Sequence, residues 1–264
     1  MSLIHATAII EEGAILGKNV SVGAFAYIGA NVRIGDDTSI ASHTVIEGYT
    51  TIGQRNRIFS HAAIGTIPQD LKYRGEKVEL RIGDDNIIRE FTLLNPGTEG
   101  GGGITQMGNK NLLMGYVHLG HDVILKDGCI LANGATLAGH VELGNHVVIG
   151  GLTPIHQFVH IGDFAMVGGA SALAQDIPPY CLAEGNRATL RGLNLTGLRR
   201  HMERDEINAL KSAYRELFEE GQALQETAQR LFEESHSEKV KKLCQFIKTS
   251  KRGIPFTRKE KERG

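Results

Sequence analysis

The sequence is poor in the features that would define several protein classes. It has no tryptophan and only three cysteines, and no apolar run approaches the ~20 residues of a membrane span. The cysteines, Cys129, Cys181 and Cys244, are odd in number and widely spaced, which favours reduced thiols in a cytoplasmic protein over a disulfide framework. The first ten residues lack a signal-peptide pattern. The formal net charge of −1 provides no basic field, which argues against nucleic-acid binding.

A repeat with a period of six residues dominates the chain. From Met107 to Leu173 every sixth residue is a bulky aliphatic one, and the same rhythm runs from Ile4 to Ile64. This period matches neither the 3.6 residues of a helix nor the alternation of a strand, so it indicates an internal repeat. We interpret it as a mainly β fold, a parallel β-helix of hexapeptide repeats. Three hexads form one triangular coil, and the aliphatic residues fill its interior.

Two insertions interrupt the rhythm, at residues 66–81 and 95–106. The stacked core of a coil cannot absorb extra residues, so insertions loop outward and often form binding surfaces. The second insertion contains four consecutive glycines, Gly100 to Gly103. Such a run can cradle a phosphate, but no helix pattern or lysine follows it, and we expect a plain flexible loop.

The chain changes character after the repeat. The rhythm stops at Asp176-Ile177-Pro178-Pro179, where two prolines remove hydrogen-bond donors. From about Arg191, apolar residues recur with helical spacing. We therefore predict a β-helix over residues 1–190 and a C-terminal α-helical domain over residues 191–264, which ends in a basic tail from Lys248 to Arg263.

Stacking of the coils predicts a site. Residues eighteen apart lie one above the other, about 4.8 Å apart, which is one interstrand spacing. On one edge this places Gly139 over His121 and His140 over Asp122. The complete predicted cluster is His118, His121, Asp122, Gly139, His140, His156 and Gln157. His43 and His61 are also eighteen apart, and we interpret them as polar residues in register on a solvent face.

The composition of this cluster favours acyl transfer. His121 beside Asp122 suits a general base with an orienting carboxylate, although adjacent strand residues point to opposite faces and pairing needs the geometry of a corner. The backbone N–H of Gly139 can face a developing oxyanion, and no covalent enzyme intermediate is needed. One alternative is a zinc site made by His118 and His121 with His140 or His156, as in β-helix carbonic anhydrases. Another is an inert scaffold whose polar edge has no chemistry.

Several motifs go beyond the hexad rhythm: Gln69-Asp70-Leu71-Lys72-Tyr73, His121-Asp122, Ala135-Thr136-Leu137-Ala138-Gly139-His140, His156-Gln157-Phe158 and Gly185-Asn186. Through them, and over essentially its whole length, the chain resembles the UDP-N-acetylglucosamine O-acyltransferases of lipid A biosynthesis. The resemblance implies a left-handed coil and a homotrimer with active sites between adjacent prisms. It also implies transfer of a 3-hydroxyacyl group from acyl carrier protein to the 3-position of UDP-GlcNAc, without a metal or other cofactor.

The resemblance also implies roles for individual residues. His121 is the general base, Asp122 its orienting partner and Gly139 the oxyanion donor. The implied substrate contacts are Gln69, Asp70, Lys72, Asn95, His118, His140, His156, Gln157, Asn194 and Arg200. Gly169 stands where the family limits acyl length, and its missing side chain predicts a long acyl chain.

Three positions depart from the family pattern. Asn95-Pro96 replaces the common His-Arg, Arg187 replaces a histidine, and His201 replaces an arginine. The resemblance implies that Asn95 lies near the acceptor sugar, so N-acylation of a 3-amino analogue of UDP-GlcNAc stays open as an alternative. The helical domain and basic tail are expected to dock the acidic acyl carrier protein, and we expect no nucleic-acid partner and no stable membrane insertion.

Overall fold

The computed structural model describes residues 4–257. Residues 1–3 of the predicted β-helix and residues 258–263 of the predicted basic tail lie outside the described residues. Most strands contain only two residues, and a turn follows each one. Three strands and three turns make one coil of a triangular prism, and the strands of stacked coils form three sheets that are its faces.

The three faces consist of parallel strands, except for one antiparallel pair at the end of the third face. The first face contains Ile9–Ile10, Tyr27–Ile28, Val45–Ile46, Ala63–Ile64, Leu93–Leu94, His118–Leu119, Thr136–Leu137 and Pro154–Ile155. The second contains Ile15–Leu16, Arg33–Ile34, Tyr49–Ile52, Glu79–Ile82, Ile104–Met107, Ile124–Leu125, Glu142–Leu143 and His160–Ile161. The third contains Ser21–Val22, Ser39–Ile40, Arg57–Ile58, Ile87–Ile88, Leu112–Leu113, Ile130–Leu131, Val148–Ile149, Met166–Val167, Cys181–Glu184 and Thr189–Leu193.

The aliphatic residue of each hexad points into the prism. Leu119 pairs in register with Leu137 on the next coil, and both side chains are fully buried. Burial of each such side chain stabilises the fold by about 1.5–3 kcal/mol.

The three cysteines are buried and unpaired, and burial raises the pKa of the interior Cys129 thiol to about 12. Reduced, unreactive thiols follow from this placement.

The coils turn at three edges, which we name after what they carry. The insertion edge, between the first and second faces, carries Asp122, His140, Phe158 and both insertions. The helix edge, between the second and third faces, carries His146, Phe164 and Tyr180. The ring edge, between the third and first faces, carries Phe25, His43, His61, Phe91 and Tyr116.

Both insertions leave the prism at the insertion edge and are shorter than predicted. Ala63 pairs with Leu93, thirty residues on, and Leu94 pairs with Leu119, twenty-five residues on, where uninterrupted coils pair at eighteen. Strands resume at Glu79 and Ile104, inside the predicted insertions 66–81 and 95–106, because these residues already pair with the coils beside them. The second insertion includes the 3-10 turn Glu99–Gly101 and packs against the prism, unlike the plain flexible loop that we expected.

The prolines do not end the prism. Pro178 and Pro179 lie in a turn, where no ladder donor is required, and Cys181–Glu184 then continues the third face parallel to Met166–Val167. The predicted domain boundary at residue 191 falls inside the last strand, Thr189–Leu193. Up to residue 257 four helices follow: Leu195–Leu198, Arg204–Phe218, Leu224–Glu234 and Glu238–Thr249. Within residues 4–257 no helix has the length and apolar character needed to cross a membrane.

Candidate active site

His121 and Asp122 meet at the insertion edge. Asp122 has a φ of +60°, a left-handed conformation that aspartate tolerates better than most residues. This turn lets two adjacent side chains converge, so that His121 Nδ1 lies 2.8 Å from Asp122 Oδ2. The corner geometry that the pairing requires is therefore present. With Nδ1–H donated to the carboxylate, Nε2 of His121 carries the lone pair.

The second insertion holds the carboxylate of this pair. Only 2% of the Asp122 side chain is exposed, and burying an ionised carboxylate is costly without hydrogen bonds. The Thr98 backbone N–H donates to Asp122 Oδ1 at 2.9 Å, and the Thr98 hydroxyl donates to Oδ2 at 2.6 Å. The Asp122 N–H in turn donates to Thr105 Oγ1 at 2.8 Å. Sequence reasoning missed Thr98 and Thr105.

Gly139 lies on the next coil, directly over the His121 ring, as the eighteen-residue spacing predicts. A Cβ at this position would overlap the imidazole, so only glycine fits while His121 keeps its place. Within residues 4–257 the Gly139 N–H donates no hydrogen bond to the protein, whereas the neighbouring His140 N–H donates to His121 O. An unused backbone donor thus lies beside the imidazole.

His140 lies edge-on to His121, with ring centroids 5.1 Å apart and its Nε2 3.8 Å from Asp122 Oδ2. Burial lowers the pKa of His140, and the Asp122 carboxylate opposes this shift only in part. Phe158, on the following coil, stacks on the other side of the His140 ring at 4.4 Å. A neutral His140 does not repel an imidazolium formed at His121.

The first insertion and the first face complete the surroundings. Asp70 and Lys72 of the first insertion lie near enough to His140 for their charges to influence its pKa. Gln69, which precedes them, is exposed. His118 Nδ1 donates to the Leu93 carbonyl at 3.1 Å, and burial lowers the pKa of His118. His118, Asp70 and Lys72 therefore lie in the surroundings of the His121–His140 pair.

The Asn95 side chain makes hydrogen bonds inside the protein. Its side chain is almost fully buried, and Nδ2 donates to the carbonyls of Thr66 and Ile67 at 3.2 Å. The amide oxygen Oδ1 has no hydrogen-bond partner in the part of the chain that the structure describes. Asn95 therefore ties the start of the first insertion to the coil below His121.

His156 and Gln157 lie higher on the prism and are exposed. His156 lines a mainly apolar groove of about 380 Å³ with Leu173 and Arg187. Gly169 is exposed near the ring edge, and a Cβ there would make only ordinary contacts, 3.4–3.6 Å from the Gly151 backbone. The chain itself therefore has room for a side chain at position 169.

Asn194 and Arg200 are not brought to His121 within one chain. Asn194 caps the helix Leu195–Leu198 by accepting from the Gly197 N–H at 3.1 Å, and its Nδ2 donates to the Phe164 carbonyl on the helix edge. His201 stacks against His146 of the same edge at 5.1 Å, and Arg200 beside it is exposed. These residues face a different side of the prism.

Three side chains are close enough to hold a metal ion. The possible ligand atoms of His121, Asp122 and His140 all lie within 4.8 Å of one another. The zinc set proposed from the sequence is wrong in part, because neither His118 nor His156 belongs to this group and Asp122 replaces them. Asp122 Oδ2 already accepts hydrogen bonds from the Thr98 hydroxyl and His121.

Known proteins resemble this chain over nearly its whole length. A family model described as UDP N-acetylglucosamine O-acyltransferase, domain 2, matches residues 176–255, and a bacterial transferase hexapeptide model matches residues 13–48 and 104–139. Two relatives, each named acyl-(acyl-carrier-protein)–UDP-N-acetylglucosamine O-acyltransferase, come from Sulfurovum sp. (strain NBC37-1) and Aliarcobacter butzleri. They are 83% and 65% identical, and each alignment covers 98% of this chain and 100% of the relative.

Solved structures give the same picture. UDP-N-acetylglucosamine acyltransferase from Campylobacter jejuni superposes with a TM-score of 0.94 at 50% identity, covering 97% of this chain and 100% of that one. An enzyme of the same type from Acinetobacter baumannii superposes with a TM-score of 0.93 at 40% identity, covering 96% and 100%. Together with the hexapeptide repeats, these matches confirm that the coil is a left-handed β-helix, a handedness that the period alone does not determine.

Proposed function

This chain belongs to the family of UDP-N-acetylglucosamine O-acyltransferases, and from that premise we propose that it transfers a 3-hydroxyacyl chain from acyl carrier protein to the 3-hydroxyl of UDP-GlcNAc. The reaction is the first step of lipid A biosynthesis. The observation that carries the mechanism is the His121–Asp122 pair, in which a partly exposed imidazole lies 2.8 Å from a buried carboxylate, beneath Gly139.

Direct attack of the sugar hydroxyl on the thioester needs one base and one oxyanion donor. The new C–O bond forms and the C–S bond breaks, while His121 Nε2 takes the hydroxyl proton and passes it to the departing pantetheine sulfur. Asp122 holds Nδ1–H and stabilises the imidazolium. General-base catalysis of this kind contributes roughly 10²–10⁴-fold to the rate.

The Gly139 N–H supplies the oxyanion donor. It has no acceptor among residues 4–257, and Gly139 lies over the His121 ring, which supports its assignment as the donor beside the base. An oxyanion donor contributes roughly 10²–10³-fold. His140, whose pKa burial lowers, stands beside the base as a neutral group, and His118, Asp70 and Lys72 complete its surroundings. No step of this mechanism requires a metal or another cofactor.

A homotrimer accounts for the residues that one chain leaves apart. Asn194 and Arg200 lie toward the helix edge, so they contact a substrate at His121 only if that cluster belongs to another copy. Each active site would then lie between two adjacent prisms, with His121 from one copy and Asn194 and Arg200 from another. Coexpression of His121→Ala with Arg200→Ala should restore activity that neither variant has alone, because mixed trimers contain intact sites. Absence of any recovery would contradict shared sites.

The decisive assay supplies acyl carrier protein loaded with chains of different length, and either UDP-GlcNAc or its 3-amino analogue. We expect turnover of UDP-GlcNAc and a preference for long chains, since Gly169 leaves the channel open. The apparent KM for the acidic carrier should rise with salt because the C-terminal part of the chain carries lysines such as Lys211, Lys239 and Lys251. Inactivity on both sugars would contradict the proposal, and turnover of the amine alone would establish N-acylation.

The buried, unpaired cysteines support a cytoplasmic location.

A further inference from the structure

Thr98 is the only residue besides His121 whose side chain hydrogen-bonds the Asp122 carboxylate in the described part of the chain. Its N–H and its hydroxyl donate to the two different oxygens, at 2.9 and 2.6 Å. Thr98 is itself buried, with 6% of its surface exposed. One residue of the second insertion therefore contacts both oxygens of the group that orients the base.

The backbone of the insertion holds Thr98 in this place. The Thr98 carbonyl accepts from the amides of Gly101 and Gly103 at 2.9 and 2.8 Å, and Glu79 N–H donates to the Gly103 carbonyl at 2.8 Å. A Cβ on Gly101 would overlap the Asp122 carboxyl group, and one on Gly97 would overlap the Ile104 backbone. Glycine at these positions lets the main chain close over the carboxylate and exclude water from it.

We propose that Thr98 is a positioning residue for acyl transfer, which acts by fixing the Asp122 carboxylate in the orientation that holds His121 Nδ1–H. The hydroxyl donates to the same oxygen, Oδ2, that accepts from His121. The inference rests on the proposed role of His121 as the base. In this role the glycine-rich second insertion covers the Asp122 carboxylate and thereby contributes to catalysis.

Loss of the hydroxyl has two consequences at Oδ2. The carboxylate gains rotational freedom, so the imidazole is less often in the reactive orientation. Oδ2 also loses a donor that shares its negative charge, so it attracts the imidazole proton more strongly. The rate therefore falls, and the acidic limb of the pH dependence of kcat/KM moves to higher pH.

The first experiment replaces Thr98 by valine, which keeps the shape and the backbone donor but removes the hydroxyl. We expect kcat to fall roughly 10- to 100-fold, with the acidic limb displaced upward and the KM for UDP-GlcNAc within about threefold of the native value. Thr92→Val is the matched control, because the buried Thr92 hydroxyl has no hydrogen-bond partner among residues 4–257. Its removal should leave the rate and its pH dependence unchanged.

A second pair keeps the test decisive if the valine variant does not fold. Thr98→Ser and Thr98→Ala differ only by the hydroxyl, and we expect serine to retain most of the rate and alanine to behave like valine. Equal rates in serine and alanine variants, or a loss without movement of the acidic limb, would contradict the proposal. If His121→Ala retains full activity, the proposed mechanism fails. If His121→Ala is inactive while Thr98→Val is not impaired, only the role of Thr98 fails.

Discussion

The insertion edge and the ring edge each bring histidines of adjacent coils together, but only the insertion edge places them around a buried carboxylate. On the ring edge Phe25, His43, His61, Phe91 and Tyr116 form a continuous ladder with centroids 5.0–5.2 Å apart. This ladder is exposed, with 62% of Phe25 and 64% of Tyr116 accessible. On the insertion edge His121 and His140 meet around a carboxylate that is 2% exposed.

The difference shows what regular stacking can and cannot provide. Any residue type at a corner meets its counterpart on the next coil, so aligned side chains follow from the repeat alone. A buried carboxylate needs donors that the repeat does not supply, and the second insertion provides two of them through Thr98. The insertions, more than the histidines, therefore distinguish the insertion edge from the ring edge.

The largest predicted contrast comes from removing one imidazole on each edge. His121→Ala should lower kcat by roughly 100-fold or more, because the general base is lost. His61→Ala removes a ring from the exposed ladder and should leave kcat unchanged. Steady-state turnover of both variants, with circular dichroism as a check of folding, measures the contrast. Similar losses in the two variants would mean that the edges do not differ in function.

A smaller contrast separates two neighbouring glycines of the second insertion. A methyl group on Gly101 would overlap the Asp122 carboxyl group, whereas one on Gly100 would meet no described residue within 4 Å. We expect Gly101→Ala to lower kcat about tenfold or more by displacing the carboxylate, and Gly100→Ala to match the native enzyme. Comparison of their kcat values tests whether closure of the main chain over Asp122 matters. Equal activity would show that the cover is dispensable.

The smallest predicted effect concerns the stability of the insertion edge as a function of pH. Burial lowers the pKa of His118 from an ordinary value of 6.5, so the unfolded chain takes up this proton first. Between the two pKa values the unfolded state binds more protons, and the stability present above pH 6.5 declines as the pH falls through this window. His140 contributes with the same sign. His118→Gln should therefore weaken the pH dependence of urea unfolding between about pH 5 and 7, and an unchanged dependence would contradict the assignment.

The six-residue period predicted most of the prism and much of its site. It placed Gly139 over His121 and His140 beside Asp122, and the apolar spacing beyond residue 191 predicted helices that the structure contains. The pairing of His43 with His61 is also confirmed, although the rings belong to a longer aromatic ladder. These features follow from periodicity, which relates residues at fixed separations.

Features that depart from the period escaped prediction. Thr98 and Asp122 are 24 residues apart, a separation that matches no whole number of coils, so stacking arithmetic cannot pair them. Pro178 and Pro179 suggested an end to the prism, but they lie in a turn and the strand Cys181–Glu184 follows. His201 could not be placed because its stacking on His146 depends on how the helices dock. Each case depends on tertiary packing rather than on local pattern.

The central claim is that Asp122, held by Thr98, orients His121 as the base. The most direct measurement is kcat of Asp122→Asn with acyl carrier protein and UDP-GlcNAc, since the amide keeps the size of the carboxyl group but cannot stabilise an imidazolium. We predict a loss on the order of 10²–10⁴-fold, with the KM for UDP-GlcNAc little changed. A kcat within threefold of the native value, in a variant that folds normally, would contradict the claim.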